Sequence, residues 1–200
     1  MTGASPSILL LIPAYNEESR IGPVLETYAL YFREHHPDNF HLVVVLNGCT
    51  DDTLGVVERA SGQHPEISHV NIPEPIGKGG ALIEGLKLAP KADLVGYVDA
   101  DGATPPAAFD DLVTKCAEAD CVIGSRWMAG SVLRQEQTFR RQFVSRVFHA
   151  IVQAFFWMNI RDTQCGAKVM QREAVEAIHG QLTVADMAFD INLLYALKRP

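Results

Sequence analysis

The sequence predicts an α/β protein with a mostly parallel, twisted sheet flanked by helices. Three observations carry that prediction. The 200 residues are 48% apolar and 20% charged, the balance of a globular chain long enough for one domain with a proper core. Short apolar runs alternate with segments whose apolar residues recur at helical spacing, the signature of strands joined by crossover helices. The polar motifs fall where the apolar runs end, and open sheets of this class bind ligands beyond the carboxyl ends of their strands.

Residues 7–12 (SILLLI) form an apolar run stopped by Pro13, read as a strand buried on both faces. The turn PAYNEE follows, with Asn16 as an N-cap, and Ile21, Val24, Leu25, Tyr28 and Tyr31 or Phe32 keep helical spacing to about Arg33. Residues 41–46 (HLVVVL) give a second strand, running into NGCTDDT, where Thr50 or Asp51 caps a helix ending near Gly62. Residues 70–72 make a weaker third strand, and GKGGAL reads as a glycine-rich turn opening a helix over 81–88. A strand at 94–98, a helix at 107–119, a strand at 121–123, a helix near 173–178 and an apolar segment at 188–198 complete the pattern.

Leu94 to Pro106, LVGYVDADGATPP, is the stretch around which the rest is organised. An apolar strand ends in Asp99 and Asp101, and Pro105 and Pro106 suit the first turn of the next helix. Residues i and i+2 of a strand point to one side, so the two carboxylates can face one point past the strand end. Held together they repel unless a cation lies between them, and a hard divalent ion such as Mg2+ or Mn2+, completed by water and phosphate, suits them. The competing reading is a solvated turn, for which Asp and Gly are ordinary residues.

The net charge of −7 argues against general nucleic-acid binding. Cys49, Cys116, Cys121 and Cys165 show no C-x-x-C pairing and read as reduced thiols of a cytoplasmic protein. No signal-peptide pattern and no apolar run of membrane-spanning length is present. The His35-His36 pair reads as a solvated helix end, since no third ligand shows metal spacing. Between residues 126 and 146 five arginines face one acid, and residues 147–160 are apolar nearly all round. That segment is either a buried core helix or an apolar face at the cytoplasmic membrane surface beside an arginine-rich anion site.

PAYNEE, NGCTDDT, GKGGAL, DADGATPP, GSRW, RDTQCGAKVM and AFDINLLYA occur in that order. Together they resemble an inverting family 2 glycosyltransferase with the GT-A, Rossmann-like fold. Within it the chain is most similar to dolichyl-phosphate glucosyltransferases and related polyprenyl-phosphate hexosyltransferases. DADGAT and RDTQCG set this branch apart from the mannosyl branch, which usually reads DADLQ. The resemblance implies one domain over 1–200, with a nucleotide-sugar half (1–125) and an acceptor half (126–200). Members of this branch usually continue beyond the point where this chain stops, so the resemblance also implies a chain truncated at its C-terminus.

The resemblance further implies that Pro13, Ala14, Tyr15 and Glu17 form the donor-nucleotide loop. NGCTDDT matches the family's DDGSTDDT, with Asp51 or Asp52 closing around base or ribose. Asn47 stands where the family has an acid, and an amide offers both donor and acceptor. Lys78 would reach the diphosphate, and Asp99 and Asp101 would hold Mg2+ or Mn2+ against it. Arg126 and Arg141 resemble the arginines that receive an acceptor lipid phosphate. Asp190 is the candidate base or orienting acid, although a phosphate acceptor needs little deprotonation. Asp162 and Gln164 would hold the acceptor loop to the core. The expected reaction is transfer of a hexose, with UDP-glucose the favoured donor, to a polyprenyl phosphate. The alternatives are a family 2 enzyme acting on a small or glycan acceptor and a nucleotide-sugar-binding protein without catalysis. A nucleotidyltransferase should carry a basic, glycine-rich loop where this chain has the acidic PAYNEESR.

Overall fold

The computed structural model describes residues 5–124, 165–186 and 188–198. Strands β1 (Ile8–Ala14), β2 (Phe40–Asn47), β3 (Ile67–Ile72), β4 (Leu94–Tyr97), β5 (Cys121–Ile123) and β6 (Lys168–Gln171) form one sheet in the order β3-β2-β1-β4-β6-β5. The β1–β2, β2–β3 and β1–β4 pairs are parallel, while β6 runs antiparallel to both β4 and β5. Helices α1 (Ile21–His35), α2 (Thr53–Gln63), α3 (Gly77–Leu86), α4 (Pro106–Lys115), α5 (Arg172–Ile178) and α6 (Phe189–Lys198) cover the sheet.

The pleat explains why residues 8–12 are apolar without alternation. Ile8, Leu10 and Ile12 pack on one face with Ile21, Leu25 and Phe32 of α1, Val57 of α2 and Phe109 of α4. Leu9 and Leu11 pack on the other face with Leu82 and Leu86 of α3, Val175 of α5 and Phe189 of α6. A strand covered on both sides needs apolar residues at every position.

Several local expectations are corrected. The helix read over 81–88 begins four residues earlier, so GKGG is its first turn rather than a loop before it. Its glycines serve close packing: a Cβ on Gly79 would lie 2.6 Å from the Val184 carbonyl oxygen and 2.7 Å from the Phe189 Cβ. Asn16 is not the cap of α1, whose N-cap position is Arg20. It takes a left-handed conformation (φ 54°), and its side-chain Oδ1 accepts the Thr50 amide at 2.8 Å. The N-cap position of α2 is Asp52, beyond both predicted caps, Thr50 and Asp51. The predicted helix over 107–119 divides into α4 and a 3-10 turn, Cys116–Glu118. His36 is not solvated: its Nε2 meets Asp110 Oδ1 at 2.7 Å, and both side chains are 17% exposed. Strand β6 has no counterpart among the expected elements.

Helix α1 also fixes the turn after β4. The Tyr28 hydroxyl donates to the Thr104 carbonyl at 3.0 Å, and the Tyr31 hydroxyl donates to Asp110 of α4 at 3.1 Å. Cys49, Cys116 and Cys121 form no disulfide among the described residues. Among the described residues no helix is long and apolar enough to cross a membrane. The apolar 147–160 segment lies outside the described residues.

Candidate active site

The order in which strands are added reverses at β1, since β2 and β3 extend on one side of it and the parallel strand β4 lies on the other. Loops leave this point in opposite directions and open a crevice at the strands' carboxyl ends. A cavity of about 480 Å³ lies there. It brings together Pro13 and Ala14 at the end of β1, Tyr15 and Glu17 after it, Asn47 at the end of β2, Lys78 of α3, and Asp99 and Asp101 after β4. Eight of the sequence-predicted site residues therefore share one wall system.

The two aspartates reach it by a different route from the one expected. β4 ends at Tyr97, so Asp99 and Asp101 sit in the turn rather than on consecutive same-side strand positions. Asp101 Oδ1 accepts the Ala103 amide at 2.9 Å, and Gly102 takes φ +71°, which folds the turn back on itself. Asp99 is held on two sides. Lys78 Nζ donates to its Oδ1 at 2.5 Å. The other oxygen lies so close to Gly166 that a Cβ there would stand 2.1 Å from it.

Arg20, Pro75 and Ala100 also line the cavity and were not foreseen, and Gly77 of the glycine-rich GKGG lines it too. Arg20 grips Glu17 with two hydrogen bonds of 2.7 Å, from Nε and Nη2. The i, i+3 spacing of Glu17 and Arg20 was the available signal. The Asn47 Oδ1 accepts the Ile76 amide at 2.6 Å, so this side chain ties the start of α3 to the end of β2.

Other predicted residues are elsewhere. Asp52 is exposed and pairs with Arg59 at 3.0 Å, and it does not line the cavity. Asp190 is buried, and its Oδ1 accepts the Tyr97 hydroxyl and the Lys168 ammonium, each at 2.5 Å. It is not part of the cavity wall. Arg126, Arg141, Asp162 and Gln164 lie outside the described residues.

Asp51 acts as a latch between the loops that follow β1 and β2. It accepts the Thr53 hydroxyl at 2.5 Å, the Thr53 amide at 3.1 Å and the Glu18 amide at 3.2 Å, while the Thr53 hydroxyl oxygen accepts the Glu17 amide at 2.7 Å. Burial alone would raise the pKa of Asp51, but these hydrogen bonds outweigh it and hold the carboxyl below its ordinary value. A carboxyl depressed in the folded state stabilises the fold above its unfolded pKa of about 3.9 and loses that contribution as pH falls through the lower folded value. Asp51→Asn is therefore expected to cost about 1 kcal/mol at pH 7 in denaturant titrations. The difference from the parent chain should close below about pH 4.

Among the described residues no group of three or more His, Cys, Asp or Glu side chains is placed to hold a metal alone. Asp99 and Asp101 nevertheless fit a hard divalent cation of the kind that takes one or two carboxylates and draws its remaining oxygens from phosphate and water. The Lys78 ammonium pairs with Asp99 and lines the same cavity.

Residues 9–178 match the glycosyl transferase family 2 profile, and the chain belongs to that family. A dolichyl-phosphate beta-glucosyltransferase of Trichomonas vaginalis is 32% identical over 92% of this chain and 57% of its own length. One from Drosophila melanogaster is 31% identical over 96% of this chain and 63% of its own length. The chain thus spans about three fifths of these relatives. Among solved structures, glucosyl-3-phosphoglycerate synthase from Mycobacterium tuberculosis, in complex with Mn2+, UDP-glucose and phosphoglyceric acid, is similar with a TM-score of 0.68. That match covers 94% of this chain and 64% of the synthase at 20% identity, and the shared architecture is the GT-A fold.

Proposed function

We propose that this chain carries the donor side of an inverting hexosyltransferase, which moves a sugar, with glucose favoured, from a nucleoside diphosphate to a polyprenyl phosphate at the cytoplasmic membrane face. The observation that carries this reading is the convergence of Asp99, Asp101 and Lys78 on one cavity with the 13–17 loop. The likeness to dolichyl-phosphate glucosyltransferases supports the acceptor class.

In the reaction an acceptor phosphate oxygen forms a bond to the anomeric carbon as the carbon–oxygen bond to the nucleoside diphosphate breaks. The electron pair leaves with the diphosphate. A divalent cation held by Asp99 and Asp101 would supply Lewis-acid neutralisation of that charge. Lys78 sits where its ammonium can face the same oxygens, as a fixed point charge. Arg20 fixes Glu17, which keeps the β1–α1 loop in one shape at the cavity mouth. The exposed Tyr15 ring offers that mouth a flat apolar face. A phosphate monoester is largely dianionic near neutral pH, its second pKa being about 6, so no strong general base is required.

The test measures UDP release from UDP-glucose with Mn2+, with and without a polyprenyl phosphate, and with 3-phosphoglycerate as a small phosphorylated acceptor. Release that depends on the polyprenyl phosphate supports the proposal. Release with 3-phosphoglycerate alone moves the acceptor assignment to small molecules. Binding of UDP without any release would contradict a catalytic role for this chain.

A further inference from the structure

We infer that Lys168, through its buried pair with Asp190, is a positioning residue that sets where the Asp99 carboxylate stands. This rests on the reading of Asp99 as a cation ligand and adds to it the residues that place that ligand.

Lys168 is fully buried, an unusual place for an ammonium group, and lines no part of the cavity. Its Nζ donates to Asp190 Oδ1 at 2.5 Å and to the Cys165 carbonyl at 2.8 Å. The second bond fixes the residue next to Gly166. Lys168 stands opposite Tyr97 in the β4–β6 register. Continuing that antiparallel register two residues outward sets Gly166 opposite Asp99. The close approach of Gly166 to the Asp99 carboxylate agrees with that placement. The glycine is thus a stop against which the carboxylate rests, and Lys168 holds the stop.

The opposite side of Asp99 is held through a separate contact. Lys78, which grips the other oxygen, belongs to α3, and the Gly80 amide of α3 donates to the Ala185 carbonyl at 3.0 Å. Residues 185 and 190 therefore brace both flanks of one carboxylate. Asp190 completes the brace by accepting the Tyr97 hydroxyl, two residues before Asp99.

The experiment measures Mn2+ binding to the 200-residue chain in the presence of UDP by electron paramagnetic resonance, alongside melting temperature. Gly166→Ala is expected to weaken Mn2+ binding by about tenfold or more, the scale typical of groups that orient metal ligands, with Gly166→Ser behaving alike. Lys168→Met should weaken Mn2+ binding and also lower the melting temperature. The double variant Lys168→Met/Asp190→Asn removes both buried charges, so it should regain most of the melting temperature but not the Mn2+ affinity. Parent-like Mn2+ affinity in Gly166→Ala, or in the refolded double variant, overturns the inference. Asp99→Asn separates the two layers. If it binds Mn2+ like the parent, the cation reading itself fails. If it loses Mn2+ while Gly166→Ala does not, only the positioning role fails.

Discussion

Asp99→Asn is expected to reduce sugar transfer by about 10²–10³-fold, the loss seen when one preorganised electrostatic group is removed from a transition state. The substitution keeps size and shape but withdraws the charge that a cation needs. Its effect on folding should be small. Asp99 is 40% exposed and its Lys78 partner 27% exposed, and an ion pair so open to water contributes about 1 kcal/mol or less. Turnover measured with the donor saturating, beside a melting curve, checks both halves. A variant that melts like the parent and has lost turnover fits the account. A variant that retains turnover removes Asp99 from the chemistry.

The second large effect is on stability. In Lys168→Met a fully buried ammonium is replaced by an apolar chain of similar length, leaving Asp190, which is 8% exposed, without its charge partner. Breaking a buried pair from one side costs about 3–5 kcal/mol, because the remaining charge stays desolvated. For a chain of this size that lowers the melting temperature by on the order of 10 °C. Removing both charges together is commonly close to neutral, so recovery in Lys168→Met/Asp190→Asn is part of the same prediction. The amide that replaces the carboxylate in that variant would still offer an oxygen to the Tyr97 hydroxyl. A melting temperature unchanged by Lys168→Met would mean that the pair is not formed in solution.

The sequence made the parallel half of the sheet legible because burial on both faces forces uninterrupted apolar runs, as in residues 8–12 and 42–46. It also revealed the carboxylate turn, since Asp99 and Asp101 interrupt such a run abruptly. Strand β6 escaped notice because it has only four residues and opens with a lysine, which reads as a surface position. That lysine is buried only because Asp190 lies 22 residues further on, a partner that no local window contains. Asn16 illustrates the same limit. Its side chain suits a helix cap and a left-handed turn equally, and the contact with Thr50 of the loop after β2 decides between them. The GKGG glycines read locally as a turn, whereas Gly77 and Gly79 pack closely against Val184, Ala185 and Phe189.

The central claim is that Asp99 and Asp101 together hold a divalent cation against a nucleoside diphosphate. Crystals grown with UDP-glucose and Mn2+, with anomalous scattering used to locate the manganese, test it most directly. The account predicts an anomalous peak between the nucleotide's phosphates and this turn, with an oxygen of each aspartate about 2–2.2 Å away, near the spacing usual for a small hard divalent ion. Nucleotide bound in the cavity with the manganese beyond reach of both carboxylates would contradict it.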